Sequence, residues 1–375
     1  MQRVYFDNAA TTSLDAEVLA AMMPYFTTHY GNASSIHSYG RECRMAIEKS
    51  RKTVATLLNA KPGEIFFTSC GSESSNTAIQ CAVRDLGCTH IITSAIEHHA
   101  TLHTVQFLAS LQYCKVSYVK LTHNGFVDMV DFERILSSST EKCLVTLMHA
   151  NNELGNLSDI EYIGTLCKKW GAIFHTDAVQ TVGHFPIDLQ KINVHFLSAS
   201  AHKFHGPKGS GLLYINQEIA IKPLIMGGGQ ERNMRAGTEN VANIVGFGVA
   251  LAFASTHMEE HSIYIRSLKT EMQKLLVEKI EGIAFHGDIS ENSLYTVLNA
   301  SFPVNDKTEM LSINLDIAGI CISGGSACSS GAEGGSHVIK AVYPHESRVP
   351  IRFSFSKHNT FEELEVVVQK IATLL

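Results

Sequence analysis

Ionisable side chains follow several of the short β-rich runs in this chain. His98, Asp177 and Lys203 each stand a few residues after, or directly at the end of, such a run. A lysine amine that is held away from water can act as a nucleophile and form a Schiff base. A histidine beside it can move a proton, and a carboxylate can hold a cationic group. These three residue types therefore predict an active site with covalent and acid–base chemistry.

Polar groups also follow the neighbouring runs. Gly71 and Ser72 open the helix predicted after residues 64–68, and Asn152 follows the run 144–148. Backbone N–H groups at the start of a helix can hold a phosphate. Five consecutive runs thus end in polar or ionisable side chains, which an active site requires and a purely structural protein does not.

Each of these residues also has an ordinary structural interpretation. Taken alone, Lys203 fits a solvated loop lysine. Asp177 alone fits a cap for the segment that follows it, and the turn at Gly71 fits a plain helix cap. The combination favours the active site, because a Schiff-base lysine with a carboxylate that pairs with a protonated pyridine nitrogen is what a pyridoxal phosphate site requires.

Strands that alternate with helices would bring these side chains together. Helical segments separate most of the β-rich runs, for example residues 160–170. This alternation indicates βαβ units and a mostly parallel sheet, in which ligands bind beyond the carboxyl ends of the strands. The predicted strands are residues 64–68, 90–93, 116–119, 144–148, 173–176 and 195–198.

The composition shifts near residue 255, which indicates a second unit. The later elements are a helix with mixed charges over residues 264–280, strands over 295–302 and 349–355, and a terminal helix over 361–375. We therefore expect an α/β fold with a mostly parallel central sheet in a large domain, residues 15–255. A smaller α+β domain is expected to consist of residues 1–14 plus 256–375.

Composition excludes several classes of protein. The 375 residues include 30 Lys+Arg and 36 Asp+Glu, a net charge of −6, so a basic nucleic-acid-binding surface is not expected. The nine cysteines form no C-x-x-C pair, and the 19 histidines include no H-E-x-x-H, so neither a disulfide framework nor a metal site is expected. No signal peptide or bilayer-spanning stretch is visible, and we expect a cytoplasmic protein without membrane binding.

Short motifs are spread over nearly the whole chain. They are residues 6–12 (FDNAATT), 31–37 (GNASSIH), 151–155 (NNELG), 227–232 (GGGQER) with 234–238 (MRAGT), 325–330 (GSACSS) and 351–354 (IRFS). Together these motifs are highly specific. The chain resembles the class V, fold-type I pyridoxal-phosphate enzymes, and specifically the cysteine desulfurases of the NifS and IscS type.

The resemblance implies a site for pyridoxal 5′-phosphate. Lys203 is implied to hold the cofactor through a Schiff base, and His98 to stack over its ring and assist proton transfer. Asp177 is implied to pair with the ring nitrogen, and Gln180 to hydrogen-bond the ring hydroxyl oxygen. The residues implied to hold the phosphate are Gly71, Ser72, Ser200, His202 and, from a second subunit, Thr238.

The resemblance also implies a substrate and a reaction. Arg352 is implied to clamp the substrate carboxylate as a bidentate fork, with Asn152 nearby. Cys328 is implied to accept sulfur, so that L-cysteine becomes L-alanine and a persulfide remains on Cys328. Small residues surround Cys328, which suits a loop that carries sulfur to an acceptor. An ordinary thiol is only slightly ionised at neutral pH, so the site must help to deprotonate Cys328.

The implied partners are a second copy of the chain, L-cysteine, and a sulfur-acceptor protein or iron–sulfur scaffold that serves iron–sulfur clusters or tRNA thiolation. Direct binding of nucleic acid is not expected. Two alternatives stay open: another class V activity (an aminotransferase or selenocysteine lyase), and a pyridoxal-binding or sulfur-relay protein without catalysis. An aminotransferase needs no thiol at Cys328, and a passive carrier needs no Schiff-base lysine at Lys203.

Overall fold

The structure is a computed structural model that describes residues 3–324 and 335–375. The predicted sulfur acceptor Cys328 lies outside the described residues. The strands within the described ranges are β1 (Val4–Tyr5), β2 (Ile65–Thr68), β3 (His90–Ser94), β4 (Lys115–Val119), β5 (Cys143–Thr146), β6 (Ile173–Asp177), β7 (Phe196–Ser200), β8 (Gly211–Ile215), β9 (Ala284–His286), β10 (Val297–Pro303), β11 (Ile320–Cys321) and β12 (Arg348–Ser354).

Helices surround these strands. The α-helices within the described ranges are α1 (Ala16–Met22), α2 (Pro24–Thr27), α3 (Ser38–Leu57), α4 (Gly71–Arg84), α5 (His99–Ser110), α6 (Met129–Ser138), α7 (Ile160–Lys169), α8 (Gln230–Asn233), α9 (Val241–Thr256), α10 (Met258–Lys279), α11 (Asp306–Glu309), α12 (Leu311–Ile317), α13 (His337–Val342) and α14 (Phe361–Leu374). Two 3₁₀ turns, Pro62–Glu64 and Ala201–Lys203, precede β2 and follow β7.

The central sheet has the strand order β2-β8-β7-β6-β5-β3-β4. Its pairs are parallel, except that β8 is antiparallel to both β2 and β7. The predicted mostly parallel α/β fold is therefore confirmed. Because β2, β3, β5, β6 and β7 run in the same direction, their carboxyl ends share one edge of the sheet, and the segments after them converge there.

Both faces of the central sheet are buried, as expected for a parallel sheet covered by helices. Phe66, Ile91 and Leu144 belong to an apolar cluster with residues of α4 and α5. The next residues along the same strands, including Phe67 and Ile92, belong to a larger cluster with residues of α3 and α9. The sheet is thus fixed from both sides, which gives the strand ends defined positions.

A further apolar cluster lies around a second, three-stranded sheet. This sheet has the order β12-β10-β9 and is antiparallel. Its cluster contains Phe6 from the N-terminal segment together with residues of α10 and α14. The predicted domain boundaries stay a prediction, supported by the separation of this cluster from those of the central sheet.

Some elements were not predicted from the sequence. Neither the strand β8 nor the helix α3 was expected, although β8 closes the central sheet between β2 and β7. No single helix in the described ranges is long and apolar enough to cross a bilayer. One pair, α9 and α10, bent by 74°, passes that test jointly by length and composition alone.

Candidate active site

A pocket opens at the carboxyl edge of the central sheet. The predicted residues that line it are Gly71, Ser72, His98, Asn152, Asp177, Gln180, Ser200, His202, Lys203 and Arg352. These residues come from widely separated parts of the sequence. The structure therefore brings together most of the predicted site in one cavity.

Lys203 ends the 3₁₀ turn that follows β7. Its Nζ donates hydrogen bonds to the carbonyl oxygens of Ala9 (2.5 Å) and Ala10 (2.9 Å). Ala9 and Ala10 belong to the N-terminal motif 6–12 and also line the pocket. The N-terminal segment thus positions the amine, a role that was not predicted from the sequence.

Asp177 is the last residue of β6 and is buried. Its Oδ1 accepts a hydrogen bond from the backbone N–H of Val179 at 3.0 Å. Burial raises the pKa of Asp177 to about 6, while the positive charge of Lys203 acts in the opposite direction. A cation placed against this carboxylate would favour its ionised form.

Glu97 lies close to Asp177, but its carboxyl group has a higher pKa than that of Asp177. Its Oε1 accepts hydrogen bonds from Ser94 Oγ (2.7 Å) and the Met148 N–H (3.1 Å). Burial raises the pKa of Glu97 to about 8. Glu97 is therefore mostly protonated at neutral pH, so of these two carboxyl groups Asp177 is the one that can hold a cation.

His98 is the residue before α5 and caps that helix. Its Nδ1 accepts the N–H of Ala100 at 3.1 Å, so in the neutral ring Nε2 carries the proton. Burial, followed by the charge of Lys203, lowers the pKa of His98 to about 4. His98 is therefore a neutral imidazole at physiological pH.

The start of α4 faces the pocket and could hold a phosphate. Gly71 is the first residue of this 14-residue helix, and a Cβ at that position would lie 2.6 Å from Val179 Cγ2. The first N–H groups of a helix have no partner within the helix and attract anions. Ser72, Ser200 and His202 line the same pocket, so hydroxyl and imidazole groups accompany those N–H groups.

Two predicted cofactor contacts are already engaged by the N-terminal segment. Gln180 Nε2 donates to the carbonyl oxygen of Ala9 at 3.1 Å. His202 Nδ1 lies 3.2 Å from Thr11 Oγ1, and burial lowers the pKa of His202 to about 4. Both side chains are therefore fixed at the pocket wall, and His202 is uncharged at neutral pH.

Arg352 is a buried cation of β12, 1% exposed. Its Nη2 forms an ion pair with Asp7 Oδ1 at 2.8 Å, and its Nη1 donates to the Asn152 carbonyl oxygen at 3.1 Å. Its Nε is buried and has no hydrogen-bond partner. An unsatisfied buried donor of this kind favours the binding of a carboxylate oxygen.

The pocket is also lined by three ionisable residues that had no predicted role: His99, Glu153 and His337. Ser336 Oγ donates to Glu153 Oε2 at 2.5 Å, and His337 Nε2 lies 3.0 Å from the Glu97 carbonyl oxygen. The His99 and His337 rings are 4.5 Å apart. Glu153 stands within the motif 151–155, which was a signal, whereas nothing in the sequence indicated His337.

Among the predicted residues that the structure describes, Thr238 is the one that does not line the pocket. Thr238 is exposed, in keeping with the expectation that it reaches the site of a second subunit, which stays a prediction. The segment that contains Thr238 lies near the start of α4, because Arg235 pairs with Glu73 at 2.9 Å. Cys328 is outside the described residues, so the structure does not test its predicted role.

The residues present fit pyridoxal 5′-phosphate. A primary amine, a buried carboxylate with a raised pKa, and the N-terminus of α4 face one cavity. These groups match the carbonyl, the protonated ring nitrogen and the phosphate of that cofactor. The assignment of each residue to its cofactor atom stays a proposal.

Comparisons with known proteins identify the family to which the chain belongs. Residues 4–367 match the family model described as aminotransferase class V. The cysteine desulfurase IscS of Dictyoglomus turgidum is 41% identical over 384 residues, covering 100% of this chain and 96% of that protein. A solved NifS-like protein superposes with a TM-score of 0.91 at 37% identity, covering 100% of this chain and 99% of the other.

A second solved structure, named SspA in complex with cysteine, has a TM-score of 0.82 at 32% identity. It covers 96% of this chain and 100% of its own. The class V aminotransferases and the cysteine desulfurases both depend on pyridoxal 5′-phosphate. The chain belongs to the class V aminotransferase family and, within it, to the cysteine desulfurases.

Proposed function

We propose that this protein is a pyridoxal-phosphate-dependent cysteine desulfurase. It converts L-cysteine to L-alanine and leaves the sulfur as a persulfide on Cys328. The C–S bond of the substrate breaks, an S–S bond forms at Cys328, and the substrate Cβ takes up a proton. The carbon is reduced while the two sulfurs are oxidised, so the step needs no external oxidant.

The observation that supports this proposal most is the meeting of Lys203, Asp177, His98 and Arg352 in one pocket. When bound, pyridoxal 5′-phosphate supplies a carbonyl for the amines and an electron sink for bonds to the substrate Cα. Lys203 provides the amine that anchors it. Asp177 stabilises the protonated ring nitrogen, since a cation beside a buried carboxylate offsets the cost of burying that charge.

Arg352 orients the substrate. Its guanidinium offers Nε, the donor without a partner, to a carboxylate oxygen. Asn152, whose carbonyl holds Nη1, and Asp7, which holds Nη2, keep the guanidinium fixed before substrate arrives. A fixed fork reduces the entropy lost on binding and aligns the substrate Cα.

His98 and Lys203 are the groups that take part in proton transfer. His98 is neutral at physiological pH, because burial lowers its pKa to about 4, and its Nε2–H can donate a hydrogen bond to a reacting atom in the pocket. The Ala100 N–H fixes the ring with its Nε2 proton available. The Lys203 amine would be the base at the pocket that accepts and returns the substrate proton.

Replacement of Cys328 by serine tests the proposal. Cys328→Ser is expected to retain the visible absorbance of the bound cofactor but to lose alanine and persulfide formation from L-cysteine. The matched control is Cys321→Ser, because Cys321 is a partly exposed thiol at the end of β11, seven residues before Cys328 in the sequence. Full alanine production by Cys328→Ser would overturn the mechanism, and loss in the control alone would move the acceptor to Cys321.

The functional unit is a homodimer that delivers sulfur to an acceptor protein or iron–sulfur scaffold. The exposure of Thr238, a residue implied to act in a second subunit, supports the dimer. Thr238→Ala is expected to retain less cofactor on dilution while remaining dimeric by sedimentation. A monomeric wild type with full activity would overturn this part of the proposal.

A further inference from the structure

A second cluster of polar side chains lies apart from the active-site pocket. It consists of Asp15 before α1, His205 after the Lys203 turn, and His358 between β12 and α14. Asp15 and His205 are buried, 6% and 7% exposed, whereas His358 is exposed. One ligand atom from each residue lies within 4.8 Å of the other two.

The distances within this cluster suit a small metal ion. Asp15 Oδ1 lies 3.2 Å from His358 Nε2 and 3.8 Å from His205 Nδ1. Tetrahedral zinc with ligand bonds of about 2.0–2.1 Å places its ligand atoms about 3.3 Å apart. The two imidazole rings are 5.0 Å apart at 88°, so they approach the carboxylate from different directions.

We propose that Asp15, His205 and His358 form a binding site for a borderline divalent cation, with Zn²⁺ as the best match. One carboxylate oxygen and two imidazoles are a donor set that zinc prefers. The sequence carries no ligand spacing of the usual kind because the three residues are brought together only by folding. None of these three residues lines the active-site pocket, although Asp15 and His205 line an adjoining cavity that Lys203 also borders.

The surroundings of the cluster supply an outer shell. Lys357 Nζ donates to Asp15 Oδ2 at 2.5 Å, which leaves Oδ1 facing the two histidines. Such hydrogen bonds to the second oxygen of a ligating carboxylate are common around metals. The positive charge of Lys357 weakens cation binding, and Lys357 also contacts the Phe253 ring at 4.3 Å.

His205 has to change partner when the ion binds. Its Nδ1 lies 2.9 Å from the Ser13 carbonyl oxygen, and this hydrogen bond is lost when Nδ1 ligates the ion. The carbonyl oxygen of Ser13 then becomes available as a fourth ligand. Because a carbonyl oxygen only accepts hydrogen bonds, Nδ1 carries the ring proton in this arrangement, and ligation through Nδ1 requires the tautomer that is protonated at Nε2.

An ion at this site would connect three segments that are far apart in sequence. Residues 13–15 precede α1, His205 follows the Lys203 turn, and His358 belongs to the link before α14. A ligand that binds only the folded state stabilises it. Zinc is therefore expected to raise the thermal unfolding midpoint of the holoenzyme.

The test uses equilibrium dialysis of the holoenzyme against Zn²⁺, followed by elemental analysis. All chains carry Cys328→Ser, because thiolates also bind zinc. The parent chain is expected to bind about one more zinc ion than His358→Gln, and loss of a ligand should weaken the site by about 100-fold or more. His345→Gln, which removes another exposed histidine, is the matched control and should bind as the parent does.

Two further measurements complete the test. Mg²⁺, which prefers oxygen ligands, is expected neither to bind here nor to raise the unfolding midpoint. The zinc-dependent rise of that midpoint is expected in the parent chain and in His345→Gln, and to be absent from His358→Gln. Equal zinc stoichiometry and equal stabilisation in His358→Gln and the parent would overturn the proposal.

Discussion

The active-site pocket has two sides that are built in different ways. The cofactor side, defined by Gly71, His98, Asp177 and Lys203, consists of residues that end or follow strands of the central sheet. The substrate side is defined by Asp7, Asn152, Glu153, His337 and Arg352. Its cation Arg352 lies within a strand of the second sheet, and Asp7 comes from the N-terminal segment.

The two sides also differ in charge. On the cofactor side, burial holds His98 neutral and favours the protonated form of Asp177. On the substrate side, Arg352 is already paired with Asp7. The cofactor side therefore tunes proton affinities, whereas the substrate side presents a fixed cation. Substitutions on one side should change the bound cofactor and the turnover rate, and those on the other should change KM.

The largest effect is expected for Lys203→Ala. Loss of the anchoring amine and of one proton carrier should lower kcat by about 10⁴-fold. The visible absorbance of the anchored cofactor should disappear as well. Lys208→Ala, five residues further on and outside the pocket, is the control. A Lys203→Ala protein that keeps this absorbance would place the anchor elsewhere.

The second-largest fall in kcat is expected for Asp177→Asn. The neutral amide cannot stabilise a protonated ring nitrogen, so kcat should fall by about 10²–10³-fold. The cofactor should still be anchored by Lys203, with its absorbance maximum shifted. Absorbance spectra and steady-state rates measure both effects, with Asp188→Asn as the surface control. An unchanged kcat would show that Asp177 does not interact with the cofactor.

Arg352→Lys tests the substrate side. The substitution keeps the charge but removes the planar fork, so KM for L-cysteine should rise by about 10–100-fold. The cofactor spectrum without substrate should stay the same. Arg348→Lys, in the same strand but outside the pocket lining, should leave KM unchanged. A large change in the spectrum of Arg352→Lys would show that the two sides are not separate.

The smallest effect is a pH dependence of stability in cofactor-free protein. Burial raises the pKa of Asp177 from 3.8 to about 6, so the folded chain binds this proton more tightly than the unfolded chain. The resulting stability is fully present below pH 3.8 and is lost as the pH rises through 6.

Asp177→Asn removes this penalty in the cofactor-free protein. The variant should be more stable than the parent by up to about 3 kcal/mol at neutral pH, because one pKa unit corresponds to about 1.4 kcal/mol. The two should differ little near pH 4. Urea unfolding at both pH values measures the difference. A variant that is less stable than the parent at neutral pH would contradict the assigned charge state.

Sequence patterns predicted the cofactor side better than the substrate side, for a physical reason. In a parallel sheet the residues after each strand meet at one edge, so His98, Asp177 and Lys203 could be grouped from strand order alone. Arg352 could be included only through the family resemblance. Its ion pair with Asp7 joins residues 345 positions apart, which no local pattern encodes.

The elements of the fold were likewise predictable only where a local sequence pattern marks them. The runs over β3, β6 and β7 were recognised because they are short and rich in apolar residues between polar turns. The antiparallel strand β8 was missed, because it follows β7 closely and lacks an intervening helix. The cluster of Asp15, His205 and His358 was likewise invisible, since its members are brought together only by tertiary packing.

The most direct test of the central claim is a single turnover with L-cysteine in the absence of any sulfur acceptor. Alanine is quantified, and the peptide that contains Cys328 is examined by mass spectrometry. The proposed mechanism predicts equal amounts of alanine and of Cys328 peptide carrying one additional sulfur atom. Alanine formed without sulfur on Cys328, or sulfur found on a different cysteine, would contradict it.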